Sequence, residues 1–158
     1  MDPLISSQVT ANKIHIRWML RCDLNRVCDI DAMCFPDPWD EAEFTRIAGM
    51  QKIIPQVIEF GEEVCGFMIY ELRKSSVRVV TFAVHPEWRR RGFGMALIGR
   101  LKAKLSSHRR NRITLDVSER NLDAQIFFKR MGFLALRVNR DATDEGDTYR
   151  MVYRYEGD

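Results

Sequence analysis

The sequence predicts an α/β (α+β) fold: a single domain over residues 1–158, with a mixed, mostly antiparallel sheet of about six or seven strands and about four flanking helices. Three observations predict it. Hydrophobic periodicity switches between two and 3.6 in the order β-α-α-β-β-β-α-β-α-β-β. Turn-forming stretches, Gly61-Glu62-Glu63 and Arg73-Lys74-Ser75-Ser76, separate three consecutive strand patterns. At 158 residues and 18.5 kDa, the chain is long enough for one substantial core and too short for two ordinary domains.

Each element has its own signal. Residues 13–20 alternate, with Ile14, Ile16 and Trp18 set against His15 and Arg17, as in a half-buried strand. Leu24, Val27, Ile30 and Cys34 follow helical spacing, with Asp23 as the expected N-cap and Pro36 as the stop. A second helix starts at Trp39 or Asp40 and runs through Phe44, Ile47 and Met50. Residues 56–60, 64–72 and 77–84 are the three strands of a meander. After Pro86, Met95, Leu97, Ile98, Leu101 and Leu105 mark the apolar stripe of a long helix. A strand at 113–117, a helix at 124–131 ended by Gly132, and strands at 133–138 and 149–155 complete the chain, with 139–147 read as a polar, acidic loop.

The composition, 46% hydrophobic and 30% charged, excludes a disordered chain. No apolar run approaches the roughly 20 residues of a membrane span, and the N-terminus lacks a signal pattern, so a cytoplasmic location is expected. Cys22, Cys28 and Cys34 recur at a spacing that suits neither a metal knuckle nor a disulfide framework; with Cys65 they read as buried free thiols, and no metal is expected. Net charge is only +3, but Arg89–Arg91 and the basic residues between Arg100 and Arg112 are clustered, which favours an anionic ligand. Nucleic acid is a poor candidate, because no aromatic platform interleaves with those charges.

The chemistry centres on the passage from Val84-His85-Pro86 through Arg89-Arg90-Arg91-Gly92-Phe93-Gly94 into the helix. Glycine lets backbone approach a bulky anion, and the first N–H groups of a helix have no internal partner, so a phosphate is a natural guest. His85 is a candidate base by its place after the strand, but next to Pro86 and the arginines it reads as a surface turn residue. Neither the dinucleotide fingerprint nor the nucleoside-triphosphate loop is present.

Val84-x-Pro86-x-x-Arg89-x-x-Gly92-x-Gly94 resembles the coenzyme-binding signature of the GNAT acetyltransferase superfamily, Gln/Arg-x-x-Gly-x-Gly/Ala after a strand ending in Val-x-Pro. Cys34-Phe35-Pro36-x-x-Trp39 with Phe44, and Leu115-Asp116-Val117 followed by Asn121, Ala124, Phe128 and Gly132-Phe133, are similar to the RimI-like branch, which acetylates protein N-termini. The resemblance covers roughly residues 13–155 and implies a GNAT-like sheet. It also implies direct transfer of acetyl from acetyl-coenzyme A to an amine, without a covalent enzyme intermediate.

By the same resemblance, Phe82, Ala83 and Val84 pair with the pantetheine arm like an added strand. Arg89, Arg90, Arg91, Gly92, Phe93, Gly94 and Met95 hold the pyrophosphate, Asn121 contacts the pantetheine, and Phe128 lies by the coenzyme. Asn121 also suits a helix N-cap. Phe128 stands where the branch carries an acidic tyrosine, and has no proton to give. Asp116 aligns with the branch's glutamate base, one methylene shorter, and the departing thiolate takes its proton either from solvent or from Tyr149, in Asp147-Thr148-Tyr149-Arg150-Met151. Trp39 and Phe35 line an acceptor groove or staple into the core. Glu41, Glu43 and the segment from Asp141 to Asp147 attract a cationic amine. The expected acceptor is a protein N-terminal α-amine. Because a tyrosine pair that holds peptide in the relatives is missing, a small-molecule amine stays open, as does a non-catalytic acetyl-coenzyme A module. Monomer and homodimer are both compatible with the sequence.

Overall fold

The computed structural model describes residues 14–157, so Lys13 and the N-terminal signal reading lie outside the described residues. The elements follow the expected order. β1 (Ile14–Trp18) leads through a 3-10 turn at Arg21–Asp23 to α1 (Leu24–Cys34) and α2 (Glu41–Ala48). The meander is β2 (Ile53–Phe60), β3 (Glu63–Leu72) and β4 (Ser76–Val84); a 3-10 turn, Pro86–Trp88, precedes α3 (Phe93–Ala103). β5 (Arg112–Ser118), α4 (Leu122–Arg130), β6 (Leu134–Thr143) and β7 (Gly146–Arg154) follow.

The seven strands form one sheet in the order β1-β2-β3-β4-β5-β7-β6. β4 and β5 are parallel, a pairing that needs the crossover α3 provides, and the register pairs Ser76–Arg78 with Arg112–Thr114. β5–β7 and β6–β7 are antiparallel, which sets β7 between its two neighbours. β2 begins three residues earlier than its pattern suggests. Pro55 is tolerated because the β1 ladder ends at Trp18 opposite Gln56, and its carbonyl accepts from the Met19 N–H at 3.0 Å.

Contacts divide the chain into two compact units. The first comprises the described residues up to Ile69 with Thr81–Leu97, and the second Tyr70–Val80 with the described residues from Ile98 onward. In the first, Leu24, Val27 and Ile30 of α1 are buried at helical spacing, and the wholly buried Phe44 ring meets Trp39 and Phe67 edge-on at 5.1 and 5.6 Å. β3 is buried on both faces along most of its length, hence its nearly continuous apolar run. In the second, Ile113, Leu115 and Val117 are buried with Phe128, Phe133 and Met151. The Lys102 ammonium lies 4.2 Å from the Tyr153 ring centre and donates to the Met131 carbonyl beyond the end of α4.

Four expectations are corrected. Asp23 does not cap α1 with its side chain; its carboxylate accepts from the Leu20 N–H at 2.7 Å and pairs with Arg17. The acidic loop is largely the end of a β6–β7 hairpin. There Asp147 accepts from the Asp141 N–H and pairs with Arg140, and Glu145 pairs with Arg120. With Glu43 held by Arg46, three of the acids expected to draw in an amine, Glu43, Glu145 and Asp147, are already paired with arginine. Met95, assigned to the apolar stripe, is 59% exposed. Of the cysteines only Cys65 is buried, and Cys22 is exposed.

Candidate active site

At the end of β4 the backbone turns sharply. The His85 N–H donates to the Cys65 carbonyl at 2.8 Å, while His85 Nδ1 accepts from the Glu87 N–H at 3.1 Å, capping the 3-10 turn. The imidazole is therefore buried, not a surface group as expected. Trp88 anchors the turn: its ring stands 5.6 Å from Phe60 and 5.7 Å from Phe93, and the Arg91 guanidinium covers it at 4.8 Å.

Next come two residues with left-handed backbone, Arg90 (φ 63°) and Gly92 (φ 85°), on either side of Arg91. Such turns direct successive N–H groups into a concavity suited to an anion. The first bond closing the helix runs from the Ala96 N–H to the Gly92 carbonyl at 3.0 Å, so the N–H groups of Phe93, Gly94 and Met95 lie in the turn that has no helical acceptor. A β-carbon added at Gly92 would meet nothing within 4 Å, leaving the approach open. The cradle fits a pyrophosphate in shape and charge. Arg89 plays a different part from its neighbours: its Nε donates to the Val84 carbonyl at 3.3 Å and its Nη2 contacts Cys34 Sγ at 3.2 Å, bracing the turn. Ala83 and Val84 precede the cradle on β4; the Ala83 carbonyl crosses Gly66 so closely that a β-carbon there would stand 2.8 Å away.

Beside this turn, the buried Asp31 accepts from the Trp39 N–H at 2.8 Å and closes the loop between α1 and α2. Burial pushes the Asp31 carboxyl up, against the pull of that bond. Trp39 is half-buried against Phe44.

In the second unit, Asn121 is the N-cap of α4, its Oδ1 accepting from the Ala124 N–H at 3.1 Å. Phe128 is buried, 5.0 Å from Phe127 and 5.3 Å from Phe133, and adds no titratable group. Asp116 stands opposite Arg150 in the β5–β7 register, and Val117 opposite Tyr149. Because side chains alternate along a strand, Asp116 and Tyr149 project from opposite faces. Tyr149 lines a shallow groove with Gln125, Lys129, Phe133, Leu134, Ala135 and Met151. The Asp116 carboxylate takes two bonds from Arg150, at 2.6 and 3.2 Å, and one from Asn139 Nδ2 at 3.2 Å, with Arg78 at 3.7 Å. Burial raises its pKa, but the bonds and charge of Arg150, with Arg78 and Asn139, outweigh it and hold the carboxyl below its usual range.

Sequence reasoning did not find Arg150, Asn139, Arg78 or Trp88. The first three reach Asp116 only through cross-strand register, which no local pattern encodes; Trp88, three residues from Arg91, was the more accessible signal. Among the described residues, no cluster of three or more His, Cys, Asp or Glu is placed to hold a metal ion, and no helix is long and apolar enough to cross a membrane.

A mixed sheet whose fourth strand feeds an arginine-flanked, left-handed turn at a helix start is the arrangement of a coenzyme-dependent acyl transferase. The chain belongs to the acetyltransferase (GNAT) family, whose model matches residues 24–133, and it is an acetyl-coenzyme A dependent N-acetyltransferase. It is similar to the ribosomal protein bS18 alanine N-acetyltransferase of Haemophilus influenzae, 23% identical over 120 residues that cover 76% of this chain and 81% of the relative. Its fold resembles that of Arabidopsis thaliana NAA60 in complex with acetyl-CoA (TM-score 0.76, 22% identity, 91% of this chain and 99% of the other). A spermidine N-acetyltransferase SpeG chimera from Vibrio cholerae and hSSAT is also similar (TM-score 0.75, 18% identity, 90% and 96% covered).

Proposed function

We propose that the acceptor is the α-amine of a protein N-terminus. When bound, acetyl-coenzyme A supplies a thioester whose carbonyl carbon the amine nitrogen attacks, forming the amide as the carbon–sulfur bond breaks. The backbone N–H groups from Gly92 to Met95, with Arg90 and Arg91, are assigned to the pyrophosphate, and the Phe82–Val84 backbone and Asn121 to the pantetheine.

The observation that carries the choice of acceptor is the clamp of Arg150 on Asp116. Held as an anion by that clamp, Asp116 receives the proton of the amine through water, but a carboxylate so stabilised is a weak base. An α-amine, with a pKa of about 8, is roughly one-tenth neutral at pH 7, whereas a lysine-type amine is neutral in fewer than about one molecule in a thousand. A weak base therefore suits the α-amine. The similarity to the bS18 alanine N-acetyltransferase supports the same reading. Tyr149, on the other face, is left out of this proton path, and the departing sulfur takes its proton from solvent.

Release of free thiol, followed with peptides bearing a free α-amine, the same peptides blocked at the N-terminus but carrying lysine, and spermidine, tests this. Turnover is expected with the free α-amine alone; turnover confined to spermidine or to lysine would overturn it.

A further inference from the structure

Residues directly opposite in an antiparallel pair share a face, and like charges so placed repel. The register sets Arg112 opposite Arg154 and Arg137 opposite Arg150. Asp116 is also opposite Arg150, and Arg112 and Arg154 each lie four residues away along their strands, so all five side chains project from one face. Arg78, paired in parallel register with Thr114, joins them 3.7 Å from Asp116. Five arginines thus share with one carboxylate the face that these strands form.

Asp116 neutralises Arg150 in part. Arg112 bonds only neutral oxygens, of Ser75 and Asn111, and the exposed Arg137 and Arg154 make no ion pair among the described residues. Two arginine–arginine pairs cost stability unless an anion binds between or beside them. The aromatic rings of β7, Tyr149 and Tyr153, alternate to the opposite face, so no platform for stacking bases accompanies the charges.

We infer that this face binds acidic side chains that follow the acceptor's amine, so that the enzyme selects N-termini leading into aspartate or glutamate. The inference rests on the reading above that the acceptor is a protein N-terminus. Four residues of β5 span roughly 13 Å, the reach of about four residues of an extended peptide, so an amine held at Asp116 brings the next few side chains over Arg150, Arg112 and Arg154.

Peptides sharing one first residue and differing only at the next four positions, acidic, neutral or basic, provide the test, with thiol release as the readout. Acidic peptides are expected to exceed neutral ones in kcat/KM by roughly tenfold at low salt, through KM, with the advantage shrinking as salt rises. The double reversal Arg137→Glu with Arg154→Glu is expected to move the preference to basic peptides, its coenzyme affinity by calorimetry confirming that it is folded. Equal kcat/KM for all three peptides would overturn this inference while leaving the protein-acceptor reading intact, whereas acetylation of spermidine with no peptide acetylated would overturn both. A short RNA that inhibits at far lower concentration than an N-terminally blocked acidic peptide would assign the face to nucleic acid and overturn the inference as well.

Discussion

Asp116 and Tyr149 sit on adjacent strands, one residue out of step, and therefore point away from each other through the sheet. A base and an acid serving one thioester need to converge on it; these two diverge. Tyr149→Phe is thus expected to change kcat by less than about twofold, while Asp116→Asn lowers it by roughly 10- to 100-fold with little change in coenzyme affinity. Steady-state kinetics with calorimetry checks both, and a large loss in the tyrosine variant would return Tyr149 to the proton path.

The Arg150 clamp sets a pH signature. The Asp116 carboxyl titrates lower in the folded protein than the roughly 4 of an unfolded chain. Its stabilisation is therefore fully present above that value and is lost as pH falls through the lower folded value. Arg150→Ala is expected to cost about 1 kcal/mol at pH 7, a difference from wild type that closes below about pH 4. Urea unfolding at several pH values measures this; a constant difference would mean that Arg150 acts through packing alone.

Gly92 is constrained by its dihedral, since a side chain there would meet no neighbour. Gly92→Val is expected to cost about 1–2 kcal/mol in backbone strain and to weaken coenzyme binding roughly tenfold or more, by re-aiming the N–H groups that follow. Gly99→Ala, inside α3 with open space and no positive φ, is the control expected to bind normally. Unchanged affinity for Gly92→Val would remove the pyrophosphate from this turn.

Asn121 has two separable roles. Asn121→Ala is expected to lose about 1 kcal/mol through the missing cap, and Asn121→Asp to recover it, because aspartate also accepts from the Ala124 N–H. If the amide serves the pantetheine, only the stability returns and the coenzyme affinity does not. Thermal melts and calorimetry on the pair distinguish the outcomes.

Phe44 joins Trp39 and Phe67 beneath the loop between α1 and α2. Phe44→Ala is expected to cost about 3–5 kcal/mol, as deletion of a fully buried ring does, readable by denaturant unfolding. A loss below about 1 kcal/mol would contradict the burial.

The order of elements was legible because each carries its own period and punctuation: Pro36 stops α1, Asp40 caps α2 by accepting from Glu43, and Gly132 follows α4 with positive φ. The turn from Arg89 to Gly94 was legible because glycine and arginine are local signals. The surroundings of Asp116 were not, since Arg78, Asn139 and Arg150 come from three different strands and meet only through register. The hairpin past Asn139 was hidden for a related reason: its polar residues make it read as a loop, and cross-strand bonds, not apolar alternation, keep it extended.

β6 ends the sheet, and Leu134 and Leu136 on it are exposed. A long, flat, greasy margin of that kind is a template on which further chains can add. Here the ladder slips between Ala135 and Arg137 and again between Asn139 and Thr143, with Asp141 in a left-handed conformation. Few consecutive residues keep the even spacing that a recruited strand would have to match, so the irregular rim guards the protein against fibril-like growth in a crowded cell.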